Sequence, residues 1–277
     1  MNRVSATTES VVHDGVEIAF DIEGHGPDVV WLHGITEDRT SWTPVTSRLT
    51  GEMRCIRLDF RGHGQSQRLQ AYDVAGLLAD LAAVIDATCT APPVVIGHSL
   101  GGAVATGGAA LGLTGATICV DQPLELAPVA EAVHLLASRL RDPALYADAL
   151  MEVKRALGID LVSDPIHADL ERKSREIDQR VVLSLWEAML DGDEDGVRVS
   201  EAMLAEMFGN IRVPYLAVHG QPLKAGYEEW FRATNSNAML EMWDGLGHWL
   251  HLVDPERFAN RVREFVADPR QSTYLPS

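Results

Sequence analysis

Residues 97–101 read Gly-His-Ser-Leu-Gly, set between the apolar run Val94-Val95-Ile96 and the small-residue stretch Gly101-Gly102-Ala103-Val104-Ala105. A short apolar run followed at once by small residues predicts a strand that turns sharply into a helix. A serine at the apex of that turn is held in a cramped backbone, and only glycines on either side let strand and helix approach so closely. The turn leaves the Ser99 hydroxyl exposed, at the positive end of a helix dipole. A chain built around such a turn needs a sheet whose strands end where helices begin.

The rest of the chain supplies that sheet. Ser10-Val11-Val12-His13, a turn at Asp14-Gly15, and Val16-Glu17-Ile18-Ala19-Phe20 predict a hairpin. Short apolar runs then alternate with amphipathic stretches: Val29 to Leu32, Met53 to Leu58, a helix from Val74 to Ile85, the run before Ser99, and Ala116 to Val120. This alternation predicts an α/β fold, a mostly parallel central sheet with helices on both faces. From Pro123 to Phe208 the pattern is helical only. Strand rhythm returns at Val213 to Val218 and at Met239 to Trp243, and a helix from Pro255 to about Val266 closes the fold. Residues 1–122 and 209–270 are therefore expected to form the core, with 123–208 inserted as a helical lid over the strand ends, where open α/β sheets bind ligands. Residues 271–277 read as a tail.

Composition narrows the function. The 277 residues are 46% hydrophobic, enough for a large core, and carry 23 basic against 40 acidic residues, a formal charge of −17. That balance excludes nucleic acid and anionic membrane surfaces as partners and points to a small-molecule substrate. Three cysteines, Cys55, Cys89 and Cys119, cannot all pair, and two lie in apolar runs, which fits reduced thiols. The first eight residues hold no apolar stretch of signal-peptide length, and nowhere do eighteen apolar residues run together. A soluble, cytoplasmic protein is expected. No H-E-x-x-H, C-x-x-C or carboxylate cluster suggests a metal, and the glycine spacing around Ser99 fits neither a phosphate-binding nor a dinucleotide loop. No cofactor is expected.

Four motifs in one order give the chain a resemblance to the α/β-hydrolase superfamily over essentially its whole length. His33-Gly34 is similar to that family's oxyanion loop, and Asp59-Phe60-Arg61-Gly62-His63-Gly64-Gln65-Ser66 to its D-x-R-G-x-G-x-S turn. Gly97 to Gly101 resembles the nucleophile elbow, and Gly245-Leu246-Gly247-His248-Trp249 the late histidine loop. The resemblance implies a serine nucleophile, Ser99, with His248 as its base. It further implies an oxyanion hole made by the backbone N–H groups of Ile35 and Leu100.

The acid departs from the usual pattern. Many relatives carry it after the strand beginning near Val213, but this chain reads Val218-His219-Gly220-Gln221-Pro222-Leu223, with leucine at the expected place. Asp121, at the end of the run Ala116 to Val120, matches the earlier position used by some dehalogenase and lactonase branches. Glu125, Glu228, Glu229 and Asp244 are lesser candidates. His33, His98, Trp42, Trp186, His219 and Trp249 are candidate pocket residues, whereas His63 belongs to a turn and His251 is read as packing or capping.

The function expected is hydrolysis of a small or medium, largely apolar ester or lactone through an acyl-enzyme. A different chemistry competes. Gly220 to Glu229 and an acid placed like Asp121 also resemble the cofactor-free dioxygenases that open 3-hydroxy-4-quinolone rings, in which a His–Asp pair deprotonates the substrate for reaction with oxygen. Those enzymes usually carry a histidine after the serine, where this chain has Leu100. A non-catalytic receptor on the same scaffold is a third reading.

Overall fold

Asp14 and Gly15 both take left-handed backbone, φ 50° and 77°. Two such residues in succession match the right-handed twist of flanking strands, so β1 (Thr7–His13) folds back on β2 (Val16–Gly24) as a tight antiparallel hairpin. The computed structural model describes residues 7–270, apart from the side chains of Thr7 and Pro128; the expected tail, 271–277, lies outside the described residues.

The hairpin forms one edge of an eight-stranded sheet in the order β1-β2-β4-β3-β5-β6-β7-β8. Here β3 is Asp28–Leu32, β4 Arg54–Leu58, β5 Val94–His98, β6 Ala116–Val120, β7 Tyr215–His219 and β8 Ala238–Met242. β2 runs antiparallel to β4, and every pairing from β4 across to β8 is parallel. Buried parallel strands need apolar residues on both faces. In β3, Val29 and Trp31 point to a core shared with Trp42, Phe258 and Val262, while Val30 and Leu32 point to one shared with Leu77, Leu81 and Val104.

Helices cover both faces. A 3-10 turn (Arg39–Trp42) leads into α1 (Thr43–Thr46), and α2 (Val74–Thr88) buries Leu77, Leu81 and Val84 at helical spacing after an Asp73 N-cap. α3 (Leu100–Ala110) follows Ser99 directly. Between β6 and β7 the described residues form helices only: α4 (Ala127–Leu135), α5 (Ala137–Arg141), α6 (Tyr146–Ala156), a 3-10 turn (Ile159–Leu161), α7 (Asp164–Glu176), α8 (Gln179–Leu185), α9 (Glu187–Asp191) and α10 (Glu194–Asn210). Several of them share an apolar cluster with Ile35 and Tyr72 of the sheet side, including Leu140, Leu150 and Val182. The chain closes with α11 (Tyr227–Thr234), α12 (Leu250–Val253) and α13 (Pro255–Ala267). Among the described residues no helix is long and apolar enough to cross a membrane.

Candidate active site

Ser99 sits at the junction of β5 and α3 with φ 52° and ψ −122°. A left-handed backbone is strained for a side chain with a Cβ, and such strain is held only where surroundings over-determine it. Here the Ser99 N–H donates to Val120 O at 2.9 Å, fixing the turn to β6. The flanking glycines are required by contact. A Cβ on Gly97 would overlap the backbone of Gly101, and one on Gly101 would overlap Leu32 O.

Asp121 occupies the same place on the neighbouring strand. It also takes left-handed backbone, φ 45°, and its N–H donates to Val218 O at 2.8 Å. The carboxylate is fully engaged. Oδ2 accepts from His248 Nδ1 at 2.6 Å, and Oδ1 accepts from the backbone N–H groups of Gly220 at 2.7 Å and Gln221 at 3.2 Å. The loop after β7 thus holds the acid in place by its amides and does not supply one. Burial alone would raise the Asp121 carboxyl, but the imidazoles of His219 and His248 outweigh it and keep the group well below the usual carboxylate range.

His248 lies in a loop turned by Gly245 and Gly247, both at positive φ. Its N–H donates to Leu157 O at 3.0 Å, and its own carbonyl accepts from His98 Nε2 at 3.0 Å. Burial lowers the His248 imidazole below its ordinary value and His98 adds to this, with Asp121 offsetting only part. With Nδ1 donating to Asp121, Nε2 carries the lone pair, the arrangement a base needs.

Ser99 and His248 line one cavity of about 540 Å³, between the strand ends and the helices that connect β6 to β7. That size suits a small or medium ligand. Ile35 and Leu100 line it, and no protein acceptor for the N–H of either is found among the described residues. The Ile35 carbonyl is held by His63 of the turn after β4, whose Nε2 lies 2.7 Å from Ile35 O.

Of the candidate pocket residues, His98, Trp186 and Trp249 line the cavity. His33, Trp42 and His219 do not, which corrects the expectation. His33 is buried, its Nδ1 donating to Gly34 O at 2.8 Å and its Nε2 accepting from Phe60 N at 3.1 Å; burial and His63 push it down to about 3. Trp42 packs into the opposite core against Trp31, Phe258 and His251. His219 lies behind Asp121, Nδ1 3.7 Å from Oδ1, beyond hydrogen-bond distance. Glu125 lines the cavity but does not touch His248, and Glu228 pairs with Arg232 on an exposed helix face.

Two cavity residues went unnoticed in the sequence. Glu37, buried, accepts from Trp249 Nε1 at 2.8 Å and lies 3.2 Å from His98 Nδ1. Burial opposes its charge, yet His98, His251 and Lys154 prevail and hold it well below its ordinary value. Lys154 of α6 is only 3% exposed, and burial pushes its ammonium down to about 8 despite the pull of Glu37. It follows Leu150 by four residues, so helical spacing put it on the apolar face. That was its available signal.

Comparison with known proteins agrees with the fold. The Alpha/beta hydrolase family model matches residues 29–261, and the chain belongs to that family. It is 28% identical to a 2-succinyl-6-hydroxy-2,4-cyclohexadiene-1-carboxylate synthase of Yersinia pseudotuberculosis, over 91% of this chain and 90% of that one. An esterase from Rhodococcus sp. ECU1013 shares the fold with a TM-score of 0.73 at 22% identity, covering 96% of this chain and 99% of its own. The enol-lactonase from Burkholderia xenovorans LB400 does so at 0.73 and 19%, covering 94% and 100%.

Proposed function

We propose that this α/β hydrolase cleaves a small or medium carboxylic ester or lactone through Ser99, His248 and Asp121. The observation that carries the reading is the 2.6 Å bond between His248 Nδ1 and Asp121 Oδ2, beside a serine held in strained backbone on the wall of the same cavity. Esterase and enol-lactonase neighbours on the same fold support acyl–oxygen cleavage. In this reading the helices of 123–208 act as a lid that shapes the acyl and alcohol pockets.

In this reading each group has one role. His248 Nε2 takes the Ser99 proton as Oγ attacks the substrate carbonyl, and Asp121 stabilises the resulting imidazolium. The developing oxyanion accepts from the N–H groups of Ile35 and Leu100, each such donor worth about 3–4 kcal/mol in the transition state. The imidazolium then protonates the leaving alkoxide, and an acyl-enzyme remains. Water, deprotonated by the same histidine, attacks the acyl group. The acid is released and Ser99 regains its proton.

A fluorophosphonate probe is expected to label the wild type. Ser99→Ala abolishes both labelling and ester turnover. If Ser99→Ala instead keeps most activity on a 3-hydroxy-4-quinolone while His248→Ala loses it with oxygen uptake, the hydrolase reading falls and the dioxygenase reading replaces it.

A further inference from the structure

The helices between β6 and β7 bury two lysines, and their surroundings differ. Lys173 Nζ has three polar partners: Ser41 Oγ at 2.9 Å, Asp38 Oδ1 at 3.1 Å and Asp169 Oδ2 at 2.7 Å. An ammonium has three N–H donors, so Lys173 is satisfied. Lys154 Nζ has one partner among the described residues, Leu170 O at 3.2 Å, and no carboxylate within 4 Å. Its head cannot snorkel out, since the residue is 3% exposed. A buried cation with one acceptor is costly unless something else supplies the missing ones.

Position says what that something is. Lys154 lines the same cavity as Ser99 and His248. It lies one helical turn before Leu157, whose carbonyl accepts from the His248 N–H, and its Nζ is 5.7 Å from the centre of the Trp249 ring beside His248. Of the two carboxylates that act on it, Asp169 is paired with Lys173, and Glu37 accepts from Trp249 Nε1 and faces His98 Nδ1 through Oε1, while its buried Oε2 has no partner and lies beyond 4 Å of Lys154 Nζ. The other lysine on the wall, Lys224, is 71% exposed and lies 3.6 Å from Glu125. Lys154 is therefore a buried positive charge on the wall of the cavity that Ser99 and His248 also line, beside Trp249 and with one hydrogen-bond acceptor.

We propose that Lys154 is an anion subsite, and that the substrate is an ester or lactone carrying a free carboxylate away from the bond that breaks. The carboxylate supplies the two acceptors that Lys154 lacks, in a charge-assisted contact, and orients the scissile carbonyl toward Ser99. The proposal rests on the hydrolase reading for the chemistry, but not for the binding.

The test compares half-esters with neutral esters of equal chain length: monomethyl succinate, glutarate and adipate against methyl butanoate, pentanoate and hexanoate, followed by proton NMR. Binding of free succinate, glutarate and adipate is measured in parallel by calorimetry. In the wild type, kcat/KM is expected to favour the half-ester by about tenfold or more for at least one length, expressed mainly in KM. Lys154→Met removes that preference and the dicarboxylate heat, while Lys154→Arg keeps most of both. Circular dichroism and melting of each variant report its folding, and the wild-type arms stand without them.

No half-ester preference and no dicarboxylate binding in the wild type, at any length, would overturn the subsite. So would a preference that survives in a folded Lys154→Met. If no ester is turned over but dicarboxylate binding is present and lost in Lys154→Met, the subsite stands and the hydrolase reading fails.

Discussion

At Asp121 the left-handed backbone and the carboxylate contacts belong together. The strand line ends at Val120, and φ 45° turns the chain so that one side chain reaches both His248 and the amides following β7. Asparagine tolerates left-handed backbone, so Asp121→Asn is expected to fold. It presents a neutral amide to Nδ1, losing both the tautomer control and the charge that stabilises the imidazolium. Ester turnover is expected to fall by about 10³–10⁴. The pH profile carries the same logic. His248 acts as a base only when neutral, and its burial beside His98 lowers it, so the acid limb of kcat/KM in the wild type lies below the ordinary imidazole value of about 6.5. Asp121 opposes that lowering, so the limb moves further down in Asp121→Asn. A loss of less than tenfold, or a wild-type limb above that value, contradicts the assignment.

Elements are held to one another by groups that the chemistry does not use. Arg39, in the 3-10 turn that follows β3, pairs with Asp59 at the end of β4 and with Asp21 of β2 at 3.2 Å; Arg57 of β4 meets the other Asp21 oxygen at 2.7 Å. All four are buried. Arg39→Met leaves Asp59 buried with only backbone donors, and breaking one partner of such a network costs about 3–5 kcal/mol. For a chain of this size that lowers the melting temperature by on the order of 10 °C, measured by circular dichroism. A shift under about 2 °C would show the network to be dispensable. This anchoring explains what was legible in the sequence. The strands were, because each is a short apolar run between turn residues, and the Ser99 turn was, because only glycines fit around it. Asp121 could be reached from the leucine standing where a later acid would be. The cavity wall was not legible. His33, Trp42 and His219 adjoin the right motifs, but the direction of a side chain after a strand end depends on packing from distant elements, as Trp42 against Phe258 shows. Glu37 looks like a solvated charge until Trp249 of the His248 loop packs onto it, and for Lys154 the helical spacing after Leu150 was the one signal.

Over the whole molecule the charge of −17 sets a further behaviour. Like charges spread over one surface repel, which destabilises the compact state relative to the unfolded chain, where they move apart. Two opposing salt effects follow. Added salt screens the repulsion, and it also weakens exposed ion pairs such as Arg139–Glu152 and Arg172–Glu176. Exposed pairs contribute little each, whereas the excess of 17 negative charges acts collectively. The strong pairs, Arg39–Asp59 and Arg57–Asp21, are buried and little screened. Repulsion is therefore the term that salt changes most. The melting temperature at pH 7 is expected to rise by a few degrees as sodium chloride goes from about 10 to 200 mM, with most of the rise below about 100 mM, where the Debye length shrinks to about 10 Å. Scanning calorimetry across that series checks it, with potassium chloride as a second salt to separate screening from ion-specific binding. A flat or falling curve would mean that the exposed pairs outweigh the net charge.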